Sequence, residues 1–289
     1  MLTLSSPQVV QETVLRWKKE QKIAFVPTMG ALHEGHIALV KMARNYGHKV
    51  IVSIFINPLQ FGPKEDLEKY PRALEQDKSL LEDAATDLLF LPTPEEFYPN
   101  DFQSRVRVEK LTQHLCGAAR PGHFEGVATV CLKLFNITQP DFAVMGEKDF
   151  QQVRVLQQLL ADFNMPMAIV PHPIVREADG LALSSRNRFL SEEERHVARL
   201  IPEALREVQA WAGSHPASLV GDLLDKVHEH WKGTPIKEDY VQIVSSRDLA
   251  PCPAETKILD ITAPRLFLAA YLGSTRLIDN GDLSKRGHV

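Results

Sequence analysis

Two histidines set three residues apart, His33 and His36, stand where a short apolar run gives way to a helical pattern. The run at 23–26 reads as a strand, Pro27-Thr28-Met29-Gly30-Ala31-Leu32 as a loop, and an amphipathic stretch begins near Gly35. In an open parallel sheet, ligands sit beyond the carboxyl ends of strands, where helix N-termini present free N–H groups. An imidazole at such a terminus can hydrogen-bond a phosphate and offset charge that builds up during its transfer. Gly30 and Gly35 let the backbone approach a ligand closely. Zinc fits less well. His-Glu-Gly-His is not the i, i+4 spacing of a zinc-binding helix, and no third ligand is evident. Two histidines that only cap a loop are the plainer alternative.

Further reactive side chains follow later apolar runs. Asn57-Pro58-Leu59-Gln60-Phe61 comes just after the run at 50–56, on the rim that carries His33. The Gln60 amide can hold a carboxylate or hydroxyl, or be simply solvated. Gly146-Glu147-Lys148-Asp149 follows the run at 142–145 and opens a helix carrying Gln151 and Gln152. A lysine at this rim binds phosphate as a point charge, and Asp149 is a candidate helix cap. Ser184-Ser185-Arg186 offers two hydroxyls and a guanidinium on a mobile loop that can close over triphosphate oxygens. Read alone, the tripeptide is also a polar linker. Arg120 and His123 either extend a basic rim or pair and cap locally, and their role stays open.

The elements that must position these groups alternate through the first two-thirds of the 289 residues. Apolar runs at 23–26, 50–56, 88–91, 142–145 and 168–170 are separated by helical patterns at 72–84, 124–138 and 149–163. Such alternation means βαβ units, hence a Rossmann-like, doubly wound parallel sheet. Near residue 190 the pattern changes. Ser191-Glu192-Glu193-Glu194 is a capping box for a helix to about Trp211, and a second helix runs over 217–231. Strand-like runs at 240–244, 257–261 and 266–271 follow, giving a smaller C-terminal α+β domain. The chain therefore divides into α/β residues 1–178 and α+β residues 179–289.

Composition narrows the function classes. The 33 basic and 37 acidic side chains leave a net charge of −4, which argues against nucleic acid held by bulk charge. Cys116, Cys131 and Cys252 fit neither a disulfide framework nor a metal site. The N-terminal twenty residues lack a signal-peptide pattern and no apolar run could span a membrane, so a cytoplasmic protein is expected.

His-x-Gly-His after a first Rossmann-like strand is similar to the signature of nucleotidyltransferases that attack the α-phosphate of a nucleoside triphosphate. Wider runs narrow the resemblance: Pro27 to His36, Phe55 to Phe61, Arg120 to Thr129, Gly146 to Gln152, Leu183 to Asn187 and Thr275 to Asn280. In this order, and over essentially the whole chain, they resemble the pantothenate synthetase (pantoate–β-alanine ligase) family. The resemblance implies ATP-dependent condensation of (R)-pantoate with β-alanine through a pantoyl adenylate, giving pantothenate, AMP and pyrophosphate. It implies ATP contacts at Met29, Gly30, Ala31, Leu32, His33, Glu34, Gly35 and His36, and at Gly146, Glu147, Lys148 and Asp149. Val175, Leu183, Ser184, Ser185 and Arg186 complete the implied ATP set, with Val175 against the adenine. His36, His33, Lys148 and Arg186 are the implied catalytic groups, and Gln60 and Gln152 the pantoate and β-alanine contacts. Magnesium arriving with ATP, a C-terminal lid and a homodimer are implied in the same way. Leu183 stands where some members carry methionine, a volume-conserving exchange. A related enzyme moving AMP onto a phosphate ester would need a more cationic acceptor pocket than Gln60 and Gln152 provide. A non-catalytic nucleotide-binding protein on this scaffold would not need both histidines, Lys148 and Arg186.

Overall fold

A computed structural model describes residues 1–62, 71 and 73–284. In chain order the strands are β1 (Leu2–Leu4), β2 (Ile23–Thr28), β3 (Lys49–Ile54), β4 (Leu88–Phe90), β5 (Phe142–Gly146), β6 (Ala168–His172), β7 (Lys237–Ser245), β8 (Pro264–Leu272) and β9 (Thr275–Asp282). The first helices are α1 (Pro7–Trp17), α2 (Glu34–Arg44), α3 (Leu74–Asp83), α4 (Pro94–Phe97) and α5 (Cys116–Ala119). The rest are α6 (His123–Thr138), α7 (Phe150–Asp162), α8 (Glu192–Ala198), α9 (Leu200–Ser214) and α10 (Val220–Trp231). Helix α3 is shorter than the expected 72–84, and residue 72 lies outside the described residues.

The first compact unit comprises Met1–Glu109 and Arg120–Pro173. Its six strands are all parallel, in the order β1-β4-β3-β2-β5-β6. Apolar residues of both parities explain why the sheet is covered on both faces. Val26, Val52, Leu89 and Val144 share one core with Leu39, Val40 and Ala43 of α2 and Leu81 of α3. On β2 the alternate residue Phe25 meets Phe135 of α6 edge-to-face, ring centroids 6.2 Å apart. This is the doubly wound architecture the alternation requires. Two carboxylates pin the strand starts: Asp141 accepts from Ile23 N at 2.7 Å, and Asp87 from Val50 N at 2.9 Å.

The second compact unit takes residues 110–119 and the chain from Ile174 onward. The antiparallel sheet β7-β8-β9 packs against α9 and α10, with Ile201, Leu205, Val208, Leu223, Val227 and Trp231 facing Ile243, Leu266, Leu268 and Leu277. The segment 110–119 joins this unit although its sequence position falls within 1–178. Cys116 lies close enough to Tyr240 and Arg276 to influence their ionisation.

The capping box at Ser191 forms as expected, Ser191 N donating to Glu194 and Glu194 N to Ser191 Oγ. The single helix expected from it is instead two, broken at Arg199. Pro202 accounts for the break: it has no N–H to offer Ala198, four residues back, and its ring crowds that carbonyl. The run at 257–261 is not a strand. Ile258 and Leu259 donate to the carbonyls of Ser218 and Pro216, so that 258–260 forms one 3-10 turn held against the loop that enters α10. The third strand is β9, carrying Thr275 to Asn280. Among the described residues no helix is long and apolar enough to cross a membrane.

Phe135 is 1% exposed and closes the contact with Phe25. Phe135→Ala is expected to cost about 3–5 kcal/mol in urea unfolding, with cooperative loss of the first unit.

Candidate active site

The sheet order reverses at β2, whose neighbours are β3 on one side and β5 on the other. Loops leaving the carboxyl ends of β2 and β5 therefore emerge side by side, the geometry in which open α/β sheets bind ligands. The β2 loop ends at His33 and leads into α2 with His36 in its first turn, and the β5 loop carries Lys148 and Asp149.

Thr28 ends β2 with its hydroxyl bonded to Ser53 O at 2.7 Å and accepting from Gly30 N at 3.3 Å. Gly30 has φ +82°, and a Cβ there would lie 3.0 Å from Ile54 and 3.1 Å from Asp77. Asp77, buried on α3, accepts from Ala31 N at 2.9 Å and Leu32 N at 2.7 Å. Beyond this pinned segment His33 occupies the N-cap of α2 in extended conformation. The His33 and His36 rings lie 4.0 Å apart, and His33 N donates to His36 Nδ1 at 3.3 Å. Since Nδ1 is an acceptor, neutral His36 carries its proton on Nε2. Burial drives the His36 pKa down to about 3, with help from His33 and Lys148 and against Asp149. His36 is thus a neutral N–H donor at ordinary pH.

Gly146 precedes a 3-10 turn over Glu147–Asp149, and α7 follows directly. Lys148 Nζ stands 3.8 Å from Asp149 Oδ2. Asp149 occupies the N-cap position of α7, but its side chain makes no capping bond. Gln152, half-buried, lies in the first turn of α7.

Gln60 sits at the end of a 3-10 turn after β3 (Pro58–Gln60). Its Nε2 lies 2.9 Å from Met29 Sδ, which joins it to the β2 loop, and its Oε1 accepts from Asn57 at 3.1 Å. Asn57, 1% exposed, also donates to Gly126 O and accepts from Leu59 N and the Tyr98 hydroxyl. The Gln60 carbonyl accepts from His123 Nδ1 at 2.9 Å and Arg120 at 3.4 Å, and Arg120 also contacts His123 Nε2 at 3.1 Å. Arg120 and His123, whose role the sequence leaves open, therefore hold the backbone of Gln60. Gly126 completes the grip, because a Cβ there would fall 2.3 Å from Leu59 O. Sequence reading missed Asn57 as a hub and Asp77 altogether. For Asp77 the available signal is a carboxylate on the Leu74, Asp77, Leu81 stripe of α3.

The remaining candidates lie in the second unit. Val175 O accepts from Leu183 N at 2.9 Å, so that carbonyl is committed within its own hairpin. Ser184 Oγ accepts from Arg186 N at 3.3 Å, and Ser185 is buried at the start of a 3-10 helix (Ser185–Phe189). The loop is not loose: Asn187 bonds Glu177 and Ala182 O, and Arg195 bridges Glu177 and Asp179. These pairings tie Asn187 and Arg195 to the segment 177–182, beside the Ser184-Ser185-Arg186 tripeptide.

The family model for pantoate–β-alanine ligases matches residues 3–282. The chain belongs to that family. It is 48% identical to the pantothenate synthetase of Pseudomonas fluorescens over 97% of both chains. Among solved structures, that of pantothenate synthetase from Thermus thermophilus superposes with TM-score 0.91 at 42% identity, covering 98% of this chain and 99% of that one. The Francisella tularensis pantoate–β-alanine ligase, described as complexed with β,γ-ATP and β-alanine, gives TM-score 0.81 at 36% identity, with 99% and 98% covered. As a member of this family, the chain is an ATP-dependent ligase joining pantoate to β-alanine.

The depressed His36 pKa makes acid sensitivity a direct readout of this packing. Between pH 6.5 and about 3 the unfolded imidazole binds a proton that the folded one refuses, so stability falls as pH falls through that window. In His36→Gln the fall should be shallower, measured as the pH dependence of urea midpoints. Parallel curves for both proteins would rule out a buried neutral His36.

Proposed function

We propose that this ligase works by pantoate adenylation at the β2–β5 rim, and the observation that carries the reading is the His33–His36 pair at the start of α2, after the strand that neighbours the one leading to Lys148. A pantoate carboxylate oxygen attacks the α-phosphorus of Mg·ATP, the α–β P–O bond breaks and pyrophosphate leaves. The β-alanine amine then attacks the acyl carbon of the mixed anhydride. The C–O bond breaks, AMP leaves with the former carboxylate oxygen, and the nitrogen loses its proton. Adenylation is required because a carboxylate is otherwise a poor acyl donor.

In this mechanism no protein nucleophile is needed; positioning and charge stabilisation suffice. His36 Nε2–H donates to oxygen on the reacting phosphate, a role that suits a neutral imidazole better than that of a general acid. Lys148 adds a point charge, and the first-turn N–H groups of Glu34 and Gly35 are those a helix leaves without internal acceptors. Gln60 and Gln152 hold pantoate, and Gln60 lies near the amine site. The second unit offers Ser184, Ser185 and Arg186 to phosphate oxygens and Val175 N–H to adenine, and is the lid in this reading. Magnesium held by phosphate oxygens and water and a homodimer belong to the same proposal, the homodimer on family resemblance, and a cytoplasmic location is proposed with them.

Three experiments test it. Pantoate labelled with ¹⁸O in the carboxylate should deliver one label per turnover to AMP, and pyrophosphate should appear from ATP and pantoate before β-alanine is added. Unlabelled AMP, or pyrophosphate strictly dependent on β-alanine, would exclude the acyl adenylate. Gly126→Ala, which forces the Leu59–Gln60 backbone outward, should weaken pantoate binding by roughly 1–3 kcal/mol and leave ATP binding little changed. Calorimetry showing the opposite pattern would remove Gln60 from the pantoate site.

A further inference from the structure

Gly30 and Ala31 are consecutive residues with positive φ, +82° and +50°. The N–H groups of Ala31 and Leu32 that follow converge on one carboxylate, and successive N–H groups of a turn that converge on one point in this way form a concave anion site. In a phosphate-binding loop that point is where a phosphate oxygen is expected. Here it is filled from inside the protein, Asp77 Oδ2 taking Ala31 N–H and Oδ1 taking Leu32 N–H. Asp77 and Ala31 are each 1% exposed and Leu32 is 4% exposed. These two donors are spent and shielded.

We infer that Asp77 is the positioning residue of the histidine loop, an internal carboxylate standing where a bound anion would otherwise be needed to shape the backbone. The inference rests on the adenylation reading and deepens it. A carboxylate is acceptor-only, so both its oxygens match the two N–H groups, and ionised acceptors make the stronger bonds. Those bonds hold Ala31 in a left-handed conformation that a residue with a Cβ seldom adopts unaided. The chain then enters α2 with His33 at the N-cap and His36 one turn on, before any nucleotide arrives. Ala31 and Leu32 thus serve the ATP site through their conformation, while phosphate contacts fall to groups further along, at the start of α2. Gly30 fits the same account, since a side chain there would press on Asp77 itself.

Amide hydrogen exchange on the full chain, without and with ATP, provides one test. The Ala31 and Leu32 amides should be protected in the free protein, and ATP should add little. Protection that arises only with ATP would show N–H groups awaiting phosphate and overturn the proposal. Asp77→Asn provides a second test, because it keeps the shape but turns one oxygen into an NH₂ that opposes a backbone N–H. It should speed exchange at both amides and slow pyrophosphate release from ATP and pantoate about 100-fold, the scale for a misplaced reactive group. Pantoate affinity measured without ATP should stay near that of the unsubstituted protein, a split that general loosening of the fold would not produce. A near-normal release rate, or pantoate affinity falling in step with the rate, would overturn the assignment. If Asp77→Asn does not fold, exchange in the unsubstituted protein decides the matter. If the unsubstituted protein itself releases no pyrophosphate, the adenylation reading fails, and exchange still judges Asp77.

Discussion

Strand β2 lies between β3 and β5, so the chain leaves it in one direction across the sheet and later returns on its other side. All strands being parallel, the loops after β2 and β5 must open on the same edge. Among the described strands, no other neighbouring pair in this sheet has its following connections diverge to opposite sides in this way. The crevice between those connections is what allows His36 from one loop to feel the charge of Lys148 and Asp149 on the other. The Gln60 turn, after β3, joins the same edge and reaches the first loop through Met29. Polar and charged groups far apart in sequence thus share one rim because of strand order.

Strand order brings loops together but does not fix their shape, and carboxylates bonded to backbone N–H groups supply that. Asp141 holds the first residue of β2, and Asp87 does the same near the start of β3, with Arg44 and Lys49 beside it. Hydrogen bonds from Val50 N and those two cations keep the Asp87 carboxyl below its ordinary pKa despite partial burial. Asp77 repeats the device just past the opposite end of β2. Strand β2 is therefore tethered at its first residue and beyond its last. On the other side of the rim side-chain donors do the same work, Asn57, His123 and Arg120 holding the turn that ends in Gln60.

The parts of this arrangement visible in the sequence are those set by local pattern. Apolar residues of both parities at 23–26 and 50–56 announce buried parallel strands, and Ser191 with Glu194 announces a helix start. The same local logic fails where a distant partner decides. The run at 257–261 is apolar enough for a strand, yet its N–H groups pair with 216 and 218 rather than with a sheet. Pro202 was a readable warning of the break at Arg199. The roles of Arg120 and His123 were not readable, because their acceptor is a main-chain carbonyl some sixty residues earlier. Among the site groups, the histidines and Lys148 have recognisable spacing, whereas Asn57 and Asp77 act through bonds that only the folded chain reveals.

Residues 110–119 also carry a consequence for how the molecule is made. The polypeptide passes from one unit to the other after Glu109, back after Ala119 and across again after Pro173. During synthesis this stretch emerges among the strands of the first unit, while Tyr240 and Arg276, its neighbours, are still untranslated. Domains that fold as units in order of emergence would here leave α5 without its seat until the last strands arrive. A shortened chain ending at Pro173 would keep every strand of the parallel sheet and still strand an orphaned loop. The two units are separable in space but not as consecutive pieces of a gene.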